Sequence, residues 1–184
     1  MQDDTPIDEL LAPPRHFGLE EAVFIILVVL SVSGIIITDY SPHDGYGFWL
    51  MMVFVFGVLS IFVSWLQAKS NEIEFGDIAK QQMMHWLHTL VIVGAAFLLN
   101  KSGQLTDISA SLVILLILAL ATMLDGYRIG WQFSLLGFFL AACAIIVAYI
   151  EQFIWACIGL GFLVVAGTFL WNYWIRKQSA FDND

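Results

Sequence analysis

Apolar residues run along this chain in six blocks of about 20, the length a helix needs to cross a hydrocarbon core of about 30 Å. The blocks are 21–38, 47–67, 80–99, 105–124, 130–149 and 153–173, and charge is almost absent inside them. The links between them are short: 39–46, 100–104 and 150–152 on one side, 68–79 and 125–129 on the other. This pattern predicts an all-α integral membrane protein, a six-transmembrane-helix bundle built as three consecutive helical hairpins. A single membrane domain covers 19–176, between an acidic, partly disordered tail over 1–18 and a short polar tail over 177–184. Asn71 and Glu74 have the spacing of a capping box ahead of the third span, and Asp77 is a further cap candidate.

Composition agrees with that reading. Of 184 residues 60% are hydrophobic and only 12% charged, outside the range of soluble globular domains. The opening MQDDTPIDELLAPPRHFG has no basic n-region and reads as a tail rather than a cleaved leader. The net charge of −9 disfavours nucleic acid and anionic lipid as partners.

Lys and Arg decide the orientation, because cytoplasmic loops carry them in excess. With the N-terminus inside, Arg15, Lys69, Lys80, Arg128, Arg176 and Lys177 fall on the inner side and Lys101 alone outside. The expected topology is N-in/C-in, with both termini cytoplasmic, in a bacterial cytoplasmic (inner) membrane. Aromatic residues fit the same layers as interfacial belts. Trp49 and Trp155 mark outer ends, and Trp65, Trp86, Trp131, Trp171 and Trp174 inner ends.

Two features of the spans bear on function. The fifth span carries Ser134, Gly137, Ala141, Ala144 and Ala148 at alternating steps of three and four, one seam of small side chains along a helix. Such a seam lets a second helix approach closely in lipid. It serves packing within the bundle, or docking to a second copy or another membrane subunit.

The third span opens with Gln81, His85 and His88 at i, i+4 and i+7. A polar face at membrane depth points into protein, since isolated polar groups in lipid are costly. Two imidazoles three residues apart could share a metal ion. His16, Glu20, Glu21 or Asp125 would supply a further ligand. The alternative is that both rings hydrogen-bond to carbonyls or meet headgroups. Haem fits poorly, because its two axial histidines must approach from opposite sides of the ring.

Other polar groups read as structural. Asp125 and Arg128 flank the expected DGYRIG turn and could pair there; Asp39, His43 and Asp44 cluster in an outer turn. Cys143 and Cys157 lie at similar depth in adjacent spans and read as packing residues. The chain contains no nucleophile elbow, phosphate loop or HExxH motif, so no catalytic residue and no cofactor is expected. The expected function is a non-catalytic scaffold, assembly factor or accessory subunit, partnered by the lipid bilayer and by copies of itself or another subunit. One alternative is a small oligomeric transporter or channel for a neutral or weakly charged solute or lipid, lined by the His85/His88 face. A second is a membrane metal-binding protein.

Overall fold

The computed structural model describes residues 17–70, 75–149 and 154–181. They form six helices and no strand: α1 (Phe17–Tyr40), α2 (Pro42–Ser70), α3 (Phe75–Lys101), α4 (Asp107–Ile129), α5 (Trp131–Tyr149) and α6 (Ile154–Phe181). Five contain stretches long and apolar enough to cross a membrane, as an integral membrane protein requires. The apolar stretch of α6, Trp155–Trp171, is shorter. The N-terminal tail with His16, the 71–74 capping box and the 150–152 link lie outside the described residues, as does the side chain of Asp77.

Each apolar block becomes one helix, and every helix but α5 runs further than its block at one end or both. The link expected over 39–46 contracts to Ser41, because Pro42 is preset for a first helical position and Asp44 suits a helix N-terminus. Ser41 bridges both helices: its N–H donates to the Ile37 carbonyl, and its own carbonyl accepts from Gly45, each at 2.8 Å. Gly45 is required at that corner, since a Cβ there would overlap the backbone of Thr38.

The turn expected at 125–129 is also helical. Thr106 caps α4 at its start, its hydroxyl accepting from the Ser109 N–H at 3.2 Å, and the helix continues through Asp125 to Ile129. Gly130 ends it, at φ 149°, a conformation that side-chain-bearing residues rarely adopt. Asp125 therefore belongs to the last turns of α4, not to a loop.

Packing centres on α2 and α4. Helix α2 touches α1, α3 and α4; α4 touches α2, α3 and α5; α6 leans on α1 and α5. The α4–α5 interface is the closest. A Cβ on Gly137 would sit 2.6 Å from the Ala119 carbonyl oxygen, and one on Gly126 would collide with Ser134. The Ser134 hydroxyl donates to the Met123 carbonyl at 3.0 Å. Part of the small-residue seam is thus used within the chain: Gly137 and Ala144 are buried, Ser134 and Ala141 half-buried, and Ala148 exposed.

Large side chains fill the middle of the bundle, with Phe24, Leu27, Phe56, Ile114, Leu118, Leu136 and Leu140 fully buried. The outward sides stay apolar, as with Phe138 on α5 and Phe162 and Leu170 on α6. In lipid that exposure carries no hydration cost.

Two tryptophans depart from the belt reading. Trp49 is 1% exposed and donates to Thr38 Oγ1 at 3.0 Å; Trp86 is also buried. Their indole N–H groups have partners inside the protein, which outweighs the interfacial preference of the ring. Trp65, Trp131, Trp155, Trp171 and Trp174 are exposed.

Candidate polar site between α2, α3 and α4

Three helices bring polar residues to one point near the C-terminal end of α4. Helix α2 contributes Ser60, Ser64 and Gln67, spaced i, i+4 and i+7 and so on one face. Helix α3 contributes Gln82, His85, Trp86 and Thr89, at i, i+3, i+4 and i+7. Helix α4 contributes Asp125. Gly57 makes the junction possible: a Cβ there would lie 3.2 Å from the Trp86 indole, so the bare backbone is the surface against which the ring rests.

Asp125 is 1% exposed, and both of its oxygens are engaged. Oδ1 accepts from Gln82 Nε2 at 2.6 Å. Oδ2 accepts from Trp86 Nε1 at 3.2 Å and from the Ser60 hydroxyl, which in turn accepts from Gln82. The nearby threonine hydroxyls are spent on their own helices, Thr89 on the His85 carbonyl and Thr122 on the Leu118 carbonyl.

His85 stands at the edge of this network. Its Nε2 is 3.1 Å from the Ala121 carbonyl and 3.9 Å from Asp125 Oδ1. A carbonyl can only accept, so Nε2 carries the proton. The ring meets Trp86 edge to face, with centroids 5.6 Å apart.

The donor set matches an ionised carboxylate, which only accepts, because an indole N–H and an amide NH2 can only donate. The donors are neutral. Among the described residues, the cation-forming group closest to Asp125 in an ion-pair contact is the His85 imidazole. The expected pairing with Arg128 does not occur: Asp125 turns inward, whereas Arg128 is exposed and its guanidinium approaches the Gln81 carbonyl at 3.4 Å.

A cavity of about 320 Å³ opens beside the network, and Gln82 belongs to both. Among the described residues, Ser64, Gln67, Gln81 and Arg128 supply its other polar walls, beside Ala68 and Ile78. Toward the opposite end of the bundle the same helix faces turn apolar, through Phe56 on α2, Val93 on α3 and Leu118 on α4, all buried.

The polar face expected on the third span divides in the structure. His85 points inward. His88 is exposed, with Nδ1 2.6 Å from the Met84 carbonyl of its own helix, and Gln81 is exposed beside the cavity. The buried amide is Gln82, one position along, so the inward face is rotated by about one residue (~100° in an ideal helix) from the expected one. Among the described residues no three His, Cys, Asp or Glu side chains are grouped to hold an ion, and His16, one of the suggested ligands, lies outside them.

Ser60 and Gln82 are not among the residues expected at a site, Trp86 is expected only as a belt residue, and Asp125 only in a turn or as a further metal ligand. The signal for α3 was present in the spacing of Gln82, Trp86 and Thr89, masked by the neighbouring Gln81 and His88. For Asp125 the signal was Gly130, a better helix stop than an acidic residue five positions earlier.

At the other end of α4, Asp107 joins three helix ends. His43 Nδ1 lies 3.1 Å from its Oδ2, and Asn100 Nδ2 donates to its Oδ1 at 3.0 Å. The outer cluster expected around His43 thus closes on Asp107 rather than on Asp39 or Asp44. Cys143 on α5 and Cys157 on α6 are both free and buried.

No family model, curated protein or solved structure matches the chain.

Proposed function

We propose that this protein is a small proton-coupled transporter of the bacterial inner membrane, with Asp125 as the group that takes up and releases the proton. The observation that carries the reading is the environment of Asp125: a carboxylate sealed among three membrane helices, hydrogen-bonded by neutral donors. A buried charge without a bonded cation costs several kcal/mol, and ionisable residues among transmembrane helices mark ion and proton pathways. A proton fits the arrangement better than a metal ion. It needs no extra space, and Ser60 can reverse its hydroxyl to accept from a protonated Asp125.

In this reading all six helices span the membrane with both termini cytoplasmic, as the Lys and Arg distribution favours. The cavity then opens to the cytoplasm, and the apolar layer of Phe56, Val93 and Leu118 closes the other side. His85, at the rim of the network, is the group through which the proton passes. The scaffold alternative is favoured less, because the closest part of the α5 seam is filled by α4.

The test is infrared difference spectroscopy on the purified protein across a pH titration. A carboxyl C=O band that grows on acidification and is missing in Asp125→Asn supports the proposal. Identical difference spectra for the two proteins would overturn it.

A further inference from the structure

We infer that the cavity between α2, α3 and α4 binds a small oxyanion, a carboxylate or a phosphate-like group, whose affinity is set by the protonation of Asp125. This rests on the proton reading of Asp125 and names the substrate class that accompanies the proton.

The lining supplies the chemistry. Among the described lining residues the only charge is Arg128, and none is a carboxylate. Its guanidinium offers five N–H donors in a rigid fork suited to bidentate oxyanion binding, and the Gln81 carbonyl engages it at 3.4 Å. Gln81 adds an amide group and Ser64 a hydroxyl, whereas both N–H bonds of Gln82 are already given to Asp125 and Ser60. At about 320 Å³ the space lies at the small end of the range of roughly 300–1,000 Å³ for ligand sites.

Asp125 lies three residues before Arg128 on α4, and Gln82 separates it from the cavity. While ionised, it opposes an anion at Arg128. Once protonated, it no longer does, and Gln82 loses a charged acceptor on the far side of its amide. Proton and oxyanion therefore assist one another, and the assistance is reciprocal. The other groups facing Asp125 are His85 and Trp86 from α3 and Ser60 from α2; Arg128, on its own helix, turns instead to the Gln81 carbonyl.

The experiment is calorimetric titration of the full-length protein with sulfate and with butyrate, anions whose own charge is constant between about pH 6 and about pH 8. Binding of either should tighten on the order of tenfold at the lower pH. Arg128→Gln should abolish binding at both pH values while leaving the pH-dependent infrared band of Asp125 intact. Asp125→Asn should bind at both pH values with the pH dependence removed, whereas His85→Gln should retain most of it. Repeating the titration in nanodiscs with and without phosphatidylglycerol separates the sources: a lipid phosphate at Arg128 would compete with the soluble anions. Absence of anion binding, or equal binding by Arg128→Gln and the wild type, would overturn the inference and leave the Asp125 band as an independent result. Tight but pH-independent binding in the wild type would refute the coupling.

Discussion

Trp86 and Asp125, 39 positions apart, are joined across the α3–α4 interface by an indole N–H that donates to the carboxylate at 3.2 Å. The bond depends on a third helix, because the bare backbone of Gly57 on α2 lets the ring lie flat enough for Nε1 to reach Oδ2. Trp86→Phe keeps the ring contact and removes the donor. It should lower stability by about 1–2 kcal/mol. Unfolding in mixed micelles, followed by circular dichroism, would measure it, and no loss would mean the bond contributes nothing.

Removing the acceptor should cost more. Asp125→Ala leaves Ser60, Gln82 and Trp86 aimed at a void, and a loss of about 2–4 kcal/mol is expected. Asp125→Asn keeps the shape and one acceptor oxygen but opposes an NH2 to these donors, so its loss should be smaller. An order of stability with Ala above Asn, read from the same unfolding curves, would contradict the network.

The α4–α5 contact makes a separate prediction at Gly137. Leucine there must displace the Ala119 and Met123 backbone, so Gly137→Leu should prevent correct folding, seen as loss of the monodisperse peak in gel filtration. Gly94 is the control. A Cβ on it meets nothing within 4 Å, and Gly94→Ala should hold or raise stability by up to about 1 kcal/mol. Equal behaviour of the two variants would refute the close approach.

Thr38 and Trp49 form a second buried bond, between α1 and α2. Thr38→Val is nearly isosteric and leaves the indole N–H unpaired, for an expected cost of about 1–3 kcal/mol. Trp49 emission should shift to shorter wavelength as the bond is lost. An unchanged spectrum in a background lacking the other tryptophans would count against it.

Cys143 and Cys157 are both 0% exposed. A water-soluble maleimide should label neither in the folded protein and both after denaturation, as counted by intact mass. Rapid labelling of the native protein would place at least one thiol outside the core.

Much of the architecture was legible along the chain because a bilayer imposes a length and a polarity on every span. Six apolar blocks became six helices, and the polar start of the third span did contribute to a buried site. Helix ends are less legible. The polarity of Asp125 suggests the end of a span, yet the helix continues until Gly130 releases it. The inward face of α3 was displaced by about one residue for a related reason: Gln81, Gln82, His85 and His88 are all polar, and composition cannot say which of them meets a partner.

The sequence by itself determined that this chain is helical and built of stretches apolar enough for a membrane, since local polarity and length suffice for that. The meeting of Asp125 with Ser60, Gln82 and Trp86 was decided only by tertiary structure. Each of these residues is unremarkable on its own helix, and a buried carboxylate is sustained only when donors from two other helices converge on it.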